Sequence, residues 1–88
     1  MNFRIDRLVT AENRPVFLLS GQIDGRALAT LRNLIENEPG ALTIDLTDVN
    51  LVDREAVLFL ARIETREIEL RNCPPYIREW IGREGQQT

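Results

Sequence analysis

The chain has 88 residues, a net charge of −3 and 43% hydrophobic residues, which is enough for the core of one small domain. It has no histidine, one cysteine and one serine, which excludes Ser-His and Cys-His nucleophile pairs, an internal disulfide and the common zinc sites. All 11 cationic side chains are arginines scattered among 14 acids, without the basic patch and high pI typical of nucleic-acid-binding proteins. We therefore expect a protein that is not an enzyme, needs no cofactor or metal, and binds no nucleic acid.

The distribution of apolar residues also bears on location. No run approaches the roughly 18 apolar residues of a membrane helix. The start of the chain lacks the uninterrupted apolar core of a signal peptide. With Cys73 as the single cysteine, these features favour a cytoplasmic protein without direct membrane insertion.

The first two strands are predicted at residues 3–9 and 16–19. Apolar and charged residues alternate in the first, whereas the second is a continuous apolar run that suits burial on both faces. The polar turn between them, residues 10–15, is short enough for an antiparallel hairpin. We expect the segment Gly21–Gly25 to break the second strand.

A first helix is predicted after Asp24, whose side chain can accept hydrogen bonds from free amides of the first turn. Its apolar residues recur at helical spacing: Ala27, Leu28, Leu31, Leu34 and Ile35. Pro39 and Gly40 are expected to end it.

The stretch from Leu42 to Leu60 is the most informative part of the sequence. It predicts a third strand at Leu42–Leu46, a polar turn at Thr47–Asn50, and a second helix capped by Asp53. The helix has a broad apolar face: Ala56, Val57, Leu60, Ala61 and Ile63, widened by Leu58 and Phe59. In its first turn we expect Arg54 to pair with either Asp48 or Glu55.

The last elements are a short alternating strand at 67–70 and a helix opened by 72–75, where proline fits the first turn. Trp80 and Ile81, with either Tyr76 or Ile77, are expected to form the inner face of this helix, and Gly82 to end it. Residues 83–88 are predicted to be a frayed tail. Cys73 has two interpretations, a small buried filler or a thiolate favoured by the helix start.

The resulting element order is β-β-α-β-α-β-α. Strands that alternate with helices imply crossover connections, hence parallel pairing after the first hairpin. The fold class expected for 1–88 is therefore a single α/β domain with a mixed sheet of about four strands and three helices.

Two motifs in this order resemble the STAS family (sulfate transporter and anti-sigma factor antagonist). One is an apolar strand that runs into a glycine and acidic segment, Leu18 to Asp24. The other is an Asp-Leu-x-x-Val-x-x-x-Asp pattern, Asp45 to Asp53. The strand-to-helix turn at 70–74 is also similar to the one before the family's third helix.

The resemblance implies a non-catalytic protein-interaction module that works by partner switching in bacterial transcription regulation. In that family the antagonist binds an anti-sigma factor that is also a serine kinase, and the kinase phosphorylates the serine directly after the aspartate. That position is Arg54 here, followed by Glu55, so the usual phospho-acceptor is missing. The implied partner-binding residues are Gly21, Asp24, Thr47, Asp48, Asn50, Asp53, Arg54 and Glu55.

The alternative function is a structural or oligomeric subunit of a larger assembly, of the transport or stressosome type, which includes a homodimer. The chain ends soon after the third helix, where the family continues with a further strand and helix, and this would leave a sheet edge that needs a partner. Binding of nucleotides or lipids, which is known in the family, has no specific support because the sequence contains no phosphate-binding loop.

Overall fold

The computed structural model describes residues 2–65 and 67–85. The elements follow the predicted order β-β-α-β-α-β-α. The strands are β1 Phe3–Val9, β2 Pro15–Ile23, β3 Leu42–Val52 and β4 Ile68–Arg71. The helices are α1 Gly25–Glu36, α2 Arg54–Ile63 and α3 Pro75–Gly85. The predicted α/β fold class is confirmed.

The four strands form one sheet in the order β1-β2-β3-β4. β1 and β2 are an antiparallel hairpin, whereas β2 with β3 and β3 with β4 pair in parallel. Both crossovers advance in the same direction across the sheet. Since such connections are right-handed, α1 and α2 lie on the same face. α3 packs beside α2, so the helices form a single layer.

The core lies between this helix layer and the sheet. It is built from alternate residues of the central strands and from one face of each helix: Phe17, Leu19, Leu42, Ile44, Leu46, Ala27, Leu28, Leu31, Ala56, Val57, Leu60, Ile77 and Ile81. The apolar faces predicted for α1 and α2 therefore point inward.

The other face of the sheet carries a hydrogen-bonded polar chain. Thr43 is fully buried there. Its hydroxyl accepts from Arg14 Nε at 3.1 Å and donates to Glu69 Oε1 at 3.4 Å. The buried hydroxyl is therefore satisfied, which avoids the cost of an unpaired polar group in the interior.

Two predicted strand ends are wrong. β2 continues through Gly21 to Ile23, and β3 continues through the predicted turn at Thr47–Asn50 to Val52. The two extensions pair with each other in parallel, and the register shifts between Leu18 and Ser20 and again between Gly21 and Gln22. Because each extension satisfies the backbone groups of the other, the local turn signals of glycine, aspartate and asparagine are overridden.

The inner face of α3 resolves an open alternative. Ile77 and Ile81 are buried, Trp80 is half-buried, and Tyr76 is 47% exposed. The prediction that Gly82 ends the helix is wrong, since α3 continues to Gly85. Residues 83–85, predicted to belong to the tail, are thus helical, and 86–88 lie outside the described residues.

Ion pairs join α2 and α3 near both ends. Arg54 at the start of α2 bonds Glu84 near the end of α3. Glu64, which caps the end of α2, accepts from Arg78 Nη1 at 2.8 Å and from Nη2 at 2.9 Å. The two helices are therefore antiparallel and fixed in register along their length.

None of the described helices is long and apolar enough to cross a membrane.

Candidate functional site

The two predicted helix caps lie next to each other because their strands are paired. Ile23 and Val52 are partners at the last position of the β2–β3 ladder. Asp24 follows the first, and its Oδ1 accepts from the amides of Arg26 at 3.0 Å and Ala27. Asp53 follows the second and accepts from the amide of Ala56 at 2.8 Å. Both capping predictions are confirmed. The N-termini of α1 and α2 therefore lie side by side at the carboxyl ends of β2 and β3.

The first turns of α1 and α2 are in contact range. A Cβ placed on Gly25 would lie 3.4 Å from Oε1 of Glu55. Glu55 is exposed in the first turn of α2, where a carboxylate is stabilised by the positive end of the helix dipole. The segment that contains Gly25 therefore approaches Glu55.

Arg54 does not pair with Asp48 or Glu55, so that prediction is wrong. Its Nε donates to Glu84 Oε2 and its Nη2 to Glu84 Oε1, both at 3.3 Å. Glu84 also accepts from Trp80 Nε1 at 3.1 Å. The hydrogen bond from Arg54, followed by that from Trp80, lowers the pKa of the Glu84 carboxyl below its usual value. Arg54, at the start of α2, is thus tied to α3 across the helix layer.

Thr47 is held by Asp45, which is not among the partner-binding residues that the resemblance implied. Asp45 Oδ1 accepts from both the amide and the hydroxyl of Thr47, at 2.8 and 2.6 Å. Asp45 Oδ2 accepts from Asn72 Nδ2 at 3.1 Å. Partial burial raises the pKa of the Asp45 carboxyl, but the bonds from Thr47 and Asn72 and the charge of Arg71 outweigh it and leave the pKa lowered. An aspartate two residues before a threonine is a local motif that could have identified this contact.

The polar side chains of this part of β3 face solvent. Thr47, Asp48 and Asn50 are exposed, whereas Val49 between them is buried. With Asp53 and Glu55, which are also exposed, they form an acidic surface at the carboxyl edge of β2 and β3. We refer to Thr47, Asp48, Asn50, Asp53 and Glu55 as the acidic edge.

An apolar pair lies beside the acidic edge. Leu51 is 51% exposed, and Tyr76 is among the few other large apolar side chains that are similarly exposed. The hydroxyl of Tyr76 donates to the carbonyl oxygen of Asn50 at 3.3 Å, which holds the ring next to β3. Leu51 was not predicted as a surface residue, and Tyr76 was left as an alternative to Ile77 for the inner face of α3, because nothing in the spacing separates an exposed Tyr76 from a buried one.

Gly21 has a backbone role. Its φ is +83°, and a Cβ there would clash with the carbonyl oxygen of Asn2. The same carbonyl accepts from the amide of Gln22 at 2.6 Å. Gly21 thus allows the start of the chain to close onto the shifted end of β2.

Within residues 2–65 and 67–85 no group of three or more histidine, cysteine or acidic side chains is arranged to hold a metal ion.

Burial raises the pKa of the Cys73 thiol, an effect that outweighs the opposite influence of Arg78. Cys73 therefore fits the interpretation as a filler and not as a thiolate.

A shallow cavity of about 480 Å³ lies at the other end of the sheet, between the β1–β2 turn and the segment 38–41, away from the acidic edge.

No family model matches the sequence, and a search of curated proteins finds no match either. Among solved structures, the chain is similar to the crystal structure of an antisigma-factor antagonist STAS domain from Rhodobacter sphaeroides. The TM-score is 0.52 at 16% sequence identity, and the match covers 81% of this chain and 87% of that one. This likeness, together with the element order, shows that the chain has the fold of a STAS domain.

Proposed function

We propose that this chain is a non-catalytic protein-interaction module of the anti-sigma-factor antagonist type, which acts in the cytoplasm and binds its partner through the acidic edge. The single observation that carries the proposal is the pairing of Ile23 with Val52, which brings two capped helix N-termini together. Gly21, Asp24 and Arg54 complete the surface by shaping and bordering it. Nothing in this arrangement resembles an acid–base pair or a nucleophile, so binding is the activity that it supports.

The charge of the surface defines the chemistry of the partner. Asp48, Asp53 and Glu55 are exposed, and the nearby cation Arg54 directs its guanidinium at Glu84. A complementary partner surface is therefore basic, and its association is slowed by salt because screening weakens steering between exposed charges. Leu51 and Tyr76 offer apolar area beside the charges, as aromatic anchors do in many interfaces.

Arg54 makes this module independent of the usual phosphorylation switch. A phosphate would bring about −1.5 to −2 charge to the start of α2, whereas arginine brings the opposite sign and has no hydroxyl for a serine kinase to phosphorylate. The partner we propose is an anti-sigma factor with serine-kinase activity, to which this chain would bind without being switched off.

The experiment measures binding of the purified chain to each anti-sigma-factor kinase of the host by calorimetry. We expect Asp48→Arg to weaken binding about tenfold, the equivalent of about 1.4 kcal/mol. Glu12→Arg is the matched control, since it makes the same charge change in the exposed β1–β2 turn at the other end of the sheet. Equal affinities for wild type and Asp48→Arg would show that the partner does not bind at the acidic edge. Binding to none of the kinases would favour the subunit of a larger assembly instead.

The switch is tested with the same kinase and ATP, read by intact mass. Wild type is expected to take up no phosphate, and Arg54→Ser to take up one, while Arg54→Ala controls for the loss of arginine. Phosphate on wild type, with Thr47 as the exposed acceptor in this region, would contradict the switchless model.

A further inference from the structure

β1 is an edge of the sheet, and the direction of its free backbone groups can be fixed from the hairpin. At one end the amide of Thr10 donates to the carbonyl of Arg14, and at the other the amide of Gln22 donates to the carbonyl of Asn2. The ladder between these bonds is continuous and free of register shifts. Because hydrogen-bonded and non-hydrogen-bonded pairs alternate in an antiparallel ladder, the even-numbered residues of β1 bond to β2. The odd-numbered residues direct their N–H and C=O groups away from the sheet: Phe3, Ile5, Arg7 and Val9.

The side chains of β1 carry opposite charges on one face. Arg4 Nε lies 2.9 Å from Asp6 Oδ2, and the two side chains are 76% and 42% exposed. Arg7 points to the other face, where it bonds Glu38 beyond the end of α1. In the part of the chain that the structure describes, no strand pairs with the outer edge of β1, which is thus a row of alternate outward backbone groups flanked by one exposed cation and one exposed anion.

In antiparallel pairing, a second copy of β1 can bond to this edge only in registers that place odd-numbered residues opposite odd-numbered residues. Registers centred on Arg4, Asp6 or Arg7 each place a charged residue opposite its own copy, and like charges directly opposite are destabilising. The register centred on Ile5 places Arg4 opposite Asp6 of the second copy, twice by symmetry. It also bonds Phe3 to Arg7 of the second copy and Ile5 to itself. The register centred on Leu8 avoids like charges, but it overlaps only residues 7–9 of β1, places Arg7 opposite Val9 and forms no ion pair. Charge complementarity therefore favours the register centred on Ile5.

We infer that the outer edge of β1 binds a second copy of this chain, antiparallel, with Ile5 on the two-fold axis. The pairing satisfies the outward N–H and C=O groups of Phe3, Ile5 and Arg7 and converts the internal Arg4–Asp6 contact into two contacts between copies. It joins two four-stranded sheets into one of eight strands, with the helices of both copies on the same face. Such isologous contacts close on themselves and do not propagate into fibres.

The test is a charge exchange measured by analytical ultracentrifugation from micromolar to millimolar concentration. Wild type is expected to dimerise reversibly. Arg4→Asp puts two acids on the face of β1, and Asp6→Arg puts two cations there, so each variant repels its own copy. We expect each to raise the dimer Kd at least about tenfold. An equimolar mixture of the two variants is expected to form a mixed dimer with affinity close to that of wild type, because each acid then faces a cation.

Arg62→Asp, an exposed change in the last turn of α2, is the control and should leave the Kd unchanged. Amide exchange gives an independent readout, since the amides of Phe3, Ile5 and Arg7 should gain protection with concentration in wild type only. Thermal melts of the variants at low concentration establish that they are folded. A wild type that stays monomeric at millimolar concentration overturns the inference. A dimer that tolerates Arg4→Asp, or that is not restored in the mixture, also overturns it.

Discussion

Arg54 and Glu84, which are 30 residues apart, are joined by two hydrogen bonds of 3.3 Å from one guanidinium to one carboxylate. The same carboxylate accepts from the indole of Trp80 at 3.1 Å. Since Trp80 is the single tryptophan of the chain, we expect its fluorescence to respond to the protonation of Glu84. The contact between the start of α2 and the end of α3 can therefore be followed without a label.

We predict that the emission of Trp80 titrates at a pH below the usual range of a glutamate. Arg54, and then Trp80, lower the pKa of Glu84, so the carboxylate contact is complete at neutral pH and is lost as the pH falls through that lowered pKa. Arg54→Ala should move the midpoint upward, and Glu84→Gln should abolish the transition. An unchanged midpoint in Arg54→Ala would mean that the Arg54–Glu84 contact does not persist in solution.

The pair at the other end of α2 is expected to contribute modestly to stability, in a pH-dependent way. Arg78 lowers the pKa of Glu64 through hydrogen bonds and charge, against an opposing effect of burial. A lowered carboxyl pKa stabilises the fold above the unfolded-state pKa, and this stabilisation is lost as the pH falls through the folded-state pKa. Arg78→Gln should lower the free energy of unfolding by about 0.5–1 kcal/mol at neutral pH, given the partial exposure of both partners.

Urea denaturation at neutral pH and at a pH below the folded-state pKa of Glu64 measures this difference. Arg83→Gln, an exposed arginine on the same helix, is the matched control. A loss of equal size at both pH values would indicate that Arg78 acts through packing and not through its charge.

The left-handed backbone of Gly21 predicts a large cost for any side chain. Gly21→Ala combines a φ of +83° with a clash against the Asn2 carbonyl, and should destabilise the protein by at least about 2 kcal/mol. Gly82→Ala is the contrasting change, because within the described residues no atom outside the local backbone of α3 lies within 4 Å of the added Cβ. It should stabilise by up to about 1 kcal/mol through helix propensity. Chemical denaturation of both variants checks the pair, and similar effects would contradict the backbone geometry.

Cys73 should react slowly with an alkylating reagent at neutral pH. Burial raises the pKa of its thiol, as does the charge of Glu64, while Arg78 acts in the opposite direction. Arg78→Gln should therefore slow the reaction further, and Glu64→Gln should speed it. Intact mass follows the rate, and the urea-unfolded chain provides the reference for an ordinary thiol. A wild type that reacts faster than the unfolded chain would restore the thiolate interpretation.

The parts of the fold that were predictable depend on neighbours in sequence. Asp24 and Asp53 were recognisable as caps because a cap bonds to an amide only two or three residues later. The apolar face of α2 followed from helical spacing. Asp45 was recognised as the first residue of the Asp45–Asp53 pattern, but its equally local contact with Thr47 was not predicted, because residues 42–46 were interpreted as a strand and Thr47 as the start of a turn.

The parts that were missed depend on distant contacts. The ends of β2 and β3 could not be located, because each extension forms only when the other is present and shifted in register. Arg54 has three acids within six residues, Asp48, Asp53 and Glu55, yet it bonds Glu84 at the far end of another helix. The choice between Tyr76 and Ile77 required the rotation of α3 about its axis, which sequence spacing does not define for so short a helix.

The shifted ladder between β2 and β3 also limits which sequence changes the acidic edge can accept during evolution. Leu46, Val49 and Val52 are all buried, at intervals of three residues and not two, because the register shifts change the phase of the strand. A deletion or insertion between Leu46 and Val52 would push a polar residue into the interior, whereas a substitution at Thr47, Asp48 or Asn50 alters only the exterior. Related chains should therefore keep the length of this segment while exchanging its exposed side chains, so that new binding specificities arise by point substitution on a backbone of constant length.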